Sequence, residues 1–229
     1  MRKILLPSAV AMAMSCASFA VQAAESATLS LTGAILPATC DVTLSSTSVD
    51  FGNIAASTLT ASFNPVSVPP VSLSIACDAA AAIAVQTTDN RSSSAMTAAE
   101  INSEMNTNLV DIKDTQIFGL GLDSASKKIG ALSINVTNAT LNGSATNNLL
   151  SSMDKATWQA YTLSAKLPYA LEKNGYVALA KDASASSPDA LTNATYILNS
   201  GIMLKKGDKY PAGEKVKVDG NITFSVVYL

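Results

Sequence analysis

The chain has 229 residues, with 17 acidic and 15 basic side chains, a formal net charge of −2 and no histidine. Because histidine is the commonest general base and a frequent metal ligand, its absence excludes histidine-dependent catalytic triads and histidine metal sites. The mild acidity argues against nucleic acid as a partner. Only 5% of the residues are aromatic, and Ala, Ser, Thr, Val and Asn dominate, which is typical of one β-rich exported domain.

The first 23 residues have the organisation of a secretory signal. Arg2 and Lys3 precede an apolar run, and small residues lie before a cleavage site that we predict after Ala23. The alternative is an uncleaved anchor, but the run is shorter than the about 20 residues that span a bilayer. Cleavage leaves 13 basic and 17 acidic residues, a net charge of −4. Cys40 and Cys77 then remain, and an even pair in an exported protein predicts one disulfide.

The segment 27–35 follows the predicted cleavage site and alternates between small or apolar residues and polar ones. Its small and apolar members are Ala27, Leu29, Leu31, Gly33 and Ile35. This period of two predicts a strand, and a glycine on the apolar face marks a place where another group approaches closely. The sequence leaves open whether this strand joins the chain's own sheet or pairs only with another molecule.

Short alternating stretches continue through the rest of the chain and predict a β-sandwich. They are 71–77, 83–87, 129–141, 161–167, 176–180 and 196–204. Asn142-Gly143 and Asn174-Gly175 are hairpin signals between them. The proline-rich run 65–70 is incompatible with a central strand.

The polar segment 89–116 has a different character and predicts a short helix or an irregular insertion. Thr97 and Glu100 have the spacing of a capping box. Ile101, Met105 and Leu109 then recur every four residues and form a narrow apolar stripe. The role of this insertion is left open.

The segment 216–229 has the most regular pattern in the chain. Its even positions are apolar or aromatic except for glycine at 220, and its odd positions are mostly polar. We therefore predict a strand from Val216 to Leu229 with one face on a core and one in water. A strand that keeps its pattern this far needs a neighbour on its open edge, since an unpaired apolar edge is an aggregation hazard.

The sequence predicts no catalytic, cofactor-binding or metal-binding residue. It contains no P-loop, dinucleotide fingerprint or calcium loop. Ser124 to Lys127 and Ser152 to Lys155 match the serine–lysine pattern of acylating enzymes, but such short matches are expected by chance in a serine-rich chain. Trp158 is a candidate sugar-stacking residue, although we favour a packing role because large aromatic side chains are mostly buried.

In their order along the chain, several of these features resemble a bacterial fimbrial subunit, or pilin, of the chaperone–usher class. The resemblance is carried by the secretory signal, the leader with Gly33, the Pro-Ala-Thr-Cys-Asp run at 37–41, Cys77, the Phe-Gly-Leu-Gly run at 118–121 and the penultimate Tyr228. It spans most of the mature chain and is closest to a less characterised branch of fimbrial proteins.

This resemblance implies an immunoglobulin-like sandwich that lacks its final strand, at 37–229, preceded by a donor-strand extension at 24–36. The donor residues would be Ala27, Leu29, Leu31, Gly33 and Ile35. The strand that borders the acceptor groove and contacts a chaperone would present Val218, Ile222, Phe224, Val226, Tyr228 and Leu229.

The implied function is a structural subunit that is exported through the periplasm, polymerises by donor-strand exchange into a cell-surface fimbrium and supports adhesion. The implied partners are a periplasmic chaperone, an outer-membrane usher and other fimbrial subunits, with no membrane insertion after signal cleavage. Two alternatives remain: a fimbrial tip adhesin or an exported carbohydrate-binding sandwich. The sequence does not distinguish a shaft subunit from an adaptor or a tip.

Overall fold

The computed structural model describes residues 27–164 and 166–229, and within them every strand pairing is antiparallel. The predicted secretory signal lies outside the described residues. The strands are β1 (Cys40–Leu44), β2 (Phe63–Ser67), β3 (Val71–Asp89), β4 (Gly130–Leu141), β5 (Ser144–Thr146), β6 (Asn148–Ser152), β7 (Gln159–Thr162), β8 (Tyr169–Ala170), β9 (Tyr176–Leu179), β10 (Ala190–Lys205) and β11 (Ile222–Tyr228). One α-helix, α1 (Ala98–Met105), is present in the same residues. The prediction of an all-β sandwich is confirmed.

The long strand β3 connects the two parts of the curled sheet. Its first half pairs with β1 and β10, and β10 also pairs with β4 and β2. Its second half pairs with β11 and β9, and β9 continues the sheet through β6 to β7. A strand of 19 residues can take part in both because it curves with the twist of the sheet.

The main core lies between the inward faces of these strands. Leu73 and Ile75 of β3 are buried there with Phe118, Val136 and Tyr196. The inward residues of β3 and β4 alternate with more exposed ones, which is the period of two expected for a strand with one buried face. Burial of this apolar surface is the main favourable contribution to folding.

The predicted helix is confirmed, including its first turn. The Thr97 hydroxyl accepts a hydrogen bond from the Glu100 amide at 3.1 Å, and the Glu100 carboxylate accepts one from the Thr97 amide at 2.7 Å. Ile101 and Met105 are buried in a second, smaller core against residues of β4, β10 and the 3₁₀ segment near 117. The helix ends at Met105 because Asn106 adopts the left-handed conformation.

Asn142-Gly143 forms the predicted hairpin between β4 and β5, with both residues at positive φ. Asn174-Gly175 forms a turn but not a hairpin: β8 pairs with β4, whereas β9 pairs with β3 and β6. That prediction was wrong because a local turn signal does not identify the partners of the strands beside it. The proline-containing strand β2 pairs only with β10 in the described residues, as expected for an edge strand.

Two predicted strands are shorter in the structure. The strand expected at 161–167 ends at Thr162, because the amides of Ser164 and Leu167 each donate to the carbonyl of the other residue. The strand expected from Val216 begins at Ile222. The residues before it are held differently, since the Asp219 amide donates to the carbonyl of Leu120 at 2.8 Å rather than to a neighbouring strand.

The segment 27–36 clusters separately from the unit 37–229. It contains no strand, although its alternation predicted one. Its apolar side chains are fully open to solvent, with exposed fractions of 83% for Leu29, 88% for Leu31 and 101% for Ile35. The first strand of the sandwich is instead β1, which starts at Cys40.

Candidate functional site: an open groove beside β11

The strand β11 lies at an edge of the sheet. It pairs with β3 from Ile222 opposite Asp89 to Tyr228 opposite Ile83, and no other described strand pairs with it. One row of its backbone N–H and C=O groups therefore has no strand partner in the described residues. Such an edge is a template for an additional strand.

The apolar side chains of β11 remain partly open although they contact the main core. Ile222, Phe224 and Val226 share one face by their even spacing, and all three are half-buried against the core cluster. Val216 and Val218, just before the strand, have the same intermediate burial. A completed sandwich covers such residues on both sides, so their exposure marks a part of the core that lacks a cover.

The segment 49–59 forms the opposite wall across from residues 214–218, which lie just before β11. Phe51, Ile54 and Leu59 also contact the main core while staying half-buried. Between this wall and residues 214–218 lies a cavity of about 590 Å³ with Ile129 and Leu204 among its lining residues. We call the apolar surface formed by 216–226 and by Phe51, Ile54 and Leu59 the groove.

The wall at 49–59 is fixed to the turn after β10 by a close backbone approach. A Cβ atom added to Gly207 would collide with the carbonyl oxygen of Ala56, so only glycine fits there. The Gly207 amide donates to the carbonyl of Leu59 at 2.9 Å. This contact holds the wall at a defined distance from the base of the groove.

Tyr210 also lines the cavity of the groove, and its hydroxyl group makes two hydrogen bonds to the backbone. Its hydroxyl donates to the carbonyl of Ile129 at 2.9 Å and accepts from the Lys205 amide at 2.9 Å. Burial raises the pKa of Tyr210 to about 12, so the phenol stays protonated near neutral pH. Lys205, with only 2% of its side chain exposed, has its ammonium 3.2 Å from the Glu104 carboxylate of α1.

Polar contacts hold the entry into β11. The Arg91 guanidinium makes two bonds to one carboxylate oxygen of Asp219, at 2.9 and 3.1 Å. The Asn90 side-chain amide donates to the Asn221 side chain at 2.6 Å and to the Thr223 hydroxyl at 2.8 Å. These bonds connect β11 to the turn after β3, so the open edge has a fixed position.

The other end of β11 meets the start of β1. The Tyr228 hydroxyl accepts a hydrogen bond from the Cys40 amide at 2.7 Å. Cys40 lies opposite Cys77 in the β1–β3 ladder, and the two form the predicted disulfide. Just before it, the Thr39 amide and hydroxyl both donate to the Asp78 carboxylate at 2.8 Å, and these bonds hold the pKa of Asp78 below its usual value.

The predicted groove residues therefore lie along one strand edge but differ in burial. Val218, Ile222, Phe224 and Val226 are half-buried against the core. Tyr228 and Leu229 are more exposed, at 50% and 47%. Donor and acceptor roles for these residues stay predictions, because the structure contains a single chain.

The sequence reasoning missed the opposite wall and the base of the groove. Phe51, Ile54 and Leu59 lie in a segment without a strand pattern, and Tyr210 lies in a charged turn region. Phe51 and Ile54 each follow a polar residue, and this was the only local sign of their burial. Their position across from residues 214–218 depends on contacts between segments far apart in the sequence.

The remaining sequence candidates have ordinary surroundings. The Ser152 hydroxyl bonds to the Asp154 carboxylate, while the Lys155 ammonium lies 5.7 Å from the centre of the Tyr176 ring. Trp158 packs against a small cluster that includes Leu150 and Ala178, as favoured from the sequence.

Among residues 27–164 and 166–229, no group of three or more histidine, cysteine or acidic side chains could hold a metal ion. No helix in that same part of the chain is long and apolar enough to cross a bilayer.

The fold and the groove define an all-β, disulfide-containing domain with an open strand edge. Residues 29–133 match the model of the DUF1120 family, described as a protein of unknown function, and the chain belongs to the same family as its relative GltF. Protein GltF of Escherichia coli (strain K12) is 30% identical over 254 aligned residues, which cover 100% of this chain and 99% of GltF. The uncharacterized protein YhcF of the same organism is 25% identical over 245 residues, 99% of this chain and 98% of YhcF. No solved structure matches the chain significantly.

Proposed function

We propose that this protein is a structural subunit of a chaperone–usher fimbria and polymerises by donor-strand exchange. The observation that carries the proposal is a pair of complementary surfaces. The groove exposes half-buried apolar residues beside an unpaired strand edge, and the segment 27–36 exposes Leu29, Leu31 and Ile35 in strand alternation. A donor strand from a second copy would pair with β11 and cover the groove.

The expected gain is large enough to hold two subunits together. Full burial of a leucine or isoleucine side chain contributes about 1.5–3 kcal/mol, so three such side chains contribute roughly 5–9 kcal/mol before the ordering of the segment is subtracted. New backbone hydrogen bonds along the open edge of β11 would add to this.

The geometry of such a contact favours a filament. The donor segment and the groove are different surfaces of the same chain, so each contact leaves one free donor and one free groove. A contact of this kind does not close on itself and can repeat without limit. Before assembly, the exposed groove would need a temporary cover, which is the role proposed for a periplasmic chaperone, with an outer-membrane usher as the site of exchange.

The first experiment removes residues 24–35 while retaining the secretory signal. We expect the truncated subunit to form no polymers by size-exclusion chromatography and electron microscopy, because it lacks the donor segment but keeps the groove. Polymers of normal length from the truncated chain would refute the donor role.

A second experiment supplies the missing segment as a peptide. A synthetic peptide of residues 24–36 should raise the melting temperature of the truncated chain, since binding to the folded state stabilises it. A peptide with Leu29→Ser and Leu31→Ser should lose this effect. A matched peptide with Thr28→Ser and Ser30→Thr, which changes the opposite face, should keep it. Equal stabilisation by both variant peptides would contradict the proposed register.

A further inference from the structure

A second cavity, separate from the groove, lies where β6, β8 and β9 meet the turn at 171–175. It has a volume of about 220 Å³ and shares no lining residue with the cavity of the groove. The volume is below the about 300–1,000 Å³ of pockets that enclose drug-sized molecules, so it suits a single small ring. Tyr169 and Tyr176 line it, and we call it the tyrosine pocket.

Both tyrosine rings are fixed by their neighbours. Tyr169 packs edge-to-face against Tyr161, with ring centres 5.2 Å apart and an interplanar angle of 68°. The Tyr176 hydroxyl accepts a hydrogen bond from the side-chain amide of Gln86 at 3.1 Å. Rings that are already held in place lose little conformational entropy when a ligand packs against them.

The polar side chains of the pocket include groups with unused hydrogen-bonding capacity. One oxygen of Asp154 accepts three hydrogen bonds, from the Ser152 hydroxyl and the amides of Ala156 and Thr157. Its other oxygen has no donor among the described residues. The amides of Thr157 and Ala156 lower the pKa of Asp154 to about 2, so its carboxylate is ionised at neutral pH. The exposed Gln159 side chain adds an amide without a partner in the same residues.

The charged groups around the pocket have both signs. Lys113 and Glu172 form an ion pair at 2.9 Å, and Glu172 also accepts from the Thr115 hydroxyl at 2.9 Å. Asp154 is the second acidic lining residue, and Lys155, which does not line the pocket, has its ammonium 5.7 Å from the centre of the Tyr176 ring. The two carboxylates and the single ammonium among the lining residues disfavour an anionic ligand, and the Lys155 ammonium beside the Tyr176 ring disfavours a cationic one at that ring.

We infer that the tyrosine pocket binds a neutral saccharide ring. The apolar C–H face of a sugar packs against tyrosine rings, whose faces carry partial negative charge. Sugar hydroxyls donate to the free carboxylate oxygen of Asp154, and the Gln159 amide can both donate and accept. This activity goes beyond assembly, because the pocket and the groove have no lining residue in common.

The test uses the full mature chain and a panel of methyl glycosides of glucose, galactose, mannose and N-acetylglucosamine. Binding is measured by ligand-observed NMR and isothermal titration calorimetry. We expect at least one glycoside to bind with a Kd of about 1 mM, an affinity that is usual for a small ligand with few contacts. Gln159→Ala and Asp154→Asn should each weaken that binding at least about tenfold, which corresponds to about 1.4 kcal/mol. Asn199→Ala, an exposed amide on β10 outside the pocket, is the matched control and should change nothing.

Three results would overturn the inference. The first is the absence of binding by every glycoside. The second is binding that survives both pocket substitutions, since the sugar would then lie elsewhere. The third is preferential binding of tetramethylammonium or phosphate, tested in parallel, since the pocket would then select a charge. Gln159→Ala should leave assembly intact, so failure of sugar binding and failure of the proposed assembly are separate outcomes.

Discussion

The disulfide between Cys40 and Cys77 should contribute much of the stability of this domain. It joins the first strand to β3 beside the point where Tyr228 contacts the Cys40 amide. We consider the variant Cys40→Ala/Cys77→Ala, which removes the bridge without introducing a buried polar group. Both cysteines are only half-buried, so the loss should come mainly from the bridge rather than from a cavity.

The separation of 37 residues sets the expected magnitude. In the loop-entropy model, a loop of this length restricts the unfolded chain by about 13 cal/mol/K, which is about 4 kcal/mol at 25 °C. Strain of the bridge in the folded protein, or residual structure in the unfolded chain, would lower this free energy. We therefore expect the variant to lose about 2–4 kcal/mol of its free energy of unfolding.

Urea denaturation followed by circular dichroism measures this loss directly. The two single variants, Cys40→Ala and Cys77→Ala, should each lose about as much as the double variant, because each breaks the same bond. Wild-type protein unfolded under reducing conditions should match them. A loss below about 1 kcal/mol, or single-variant losses that add up in the double variant, would refute this account.

The other predictions concern the base and the wall of the groove. Tyr210→Phe should lower stability by about 1–3 kcal/mol, because the Ile129 carbonyl and the Lys205 amide each lose a partner. It should also flatten the alkaline pH dependence of the melting temperature. A buried tyrosine with a raised pKa stabilises the fold below the unfolded pKa of about 10, and this contribution is lost as the pH rises through about 12. An equally steep alkaline decline in the variant would show that other groups cause it. Gly207→Ala should destabilise the domain by at least about 1 kcal/mol and weaken binding of the 24–36 peptide, because the added Cβ would collide with the Ala56 carbonyl. Gly33→Ala is the control for stability, since no atom lies within 4 Å of the added Cβ; equal melting temperatures for the two variants would contradict the close approach at Gly207.

Local patterns predicted the elements well where one short segment contained the whole signal. The capping box at Thr97 predicted α1, because both of its hydrogen bonds form within four residues. The Asn142-Gly143 turn predicted a hairpin, because its two left-handed residues bring adjacent segments together. The same reasoning failed at Asn174-Gly175, where the flanking strands find partners far away in the sequence.

The two ends of the chain show the limit of periodicity. The alternation at 216–229 predicted one apolar face, and Ile222, Phe224 and Val226 do contact the core together. It could not predict that the strand starts at Ile222, because the Asp219 amide bonds to Leu120 and its carboxylate to Arg91. The alternation at 27–35 is equally regular, yet this segment forms no strand in a single chain. A strand requires a neighbouring backbone, which its own sequence does not supply.

The sequence by itself determined the all-β class, the disulfide, the helical insertion and the apolar face of β11, because each depends on residue type and short spacing. Only the tertiary structure decided that β11 pairs with β3 alone among the described strands and that Phe51, Ile54 and Leu59 form a wall across from residues 214–218. It also decided that Tyr169 and Tyr176 line one pocket with Asp154. These arrangements depend on strand order and register, which are set by packing between residues distant in the sequence and leave no local pattern.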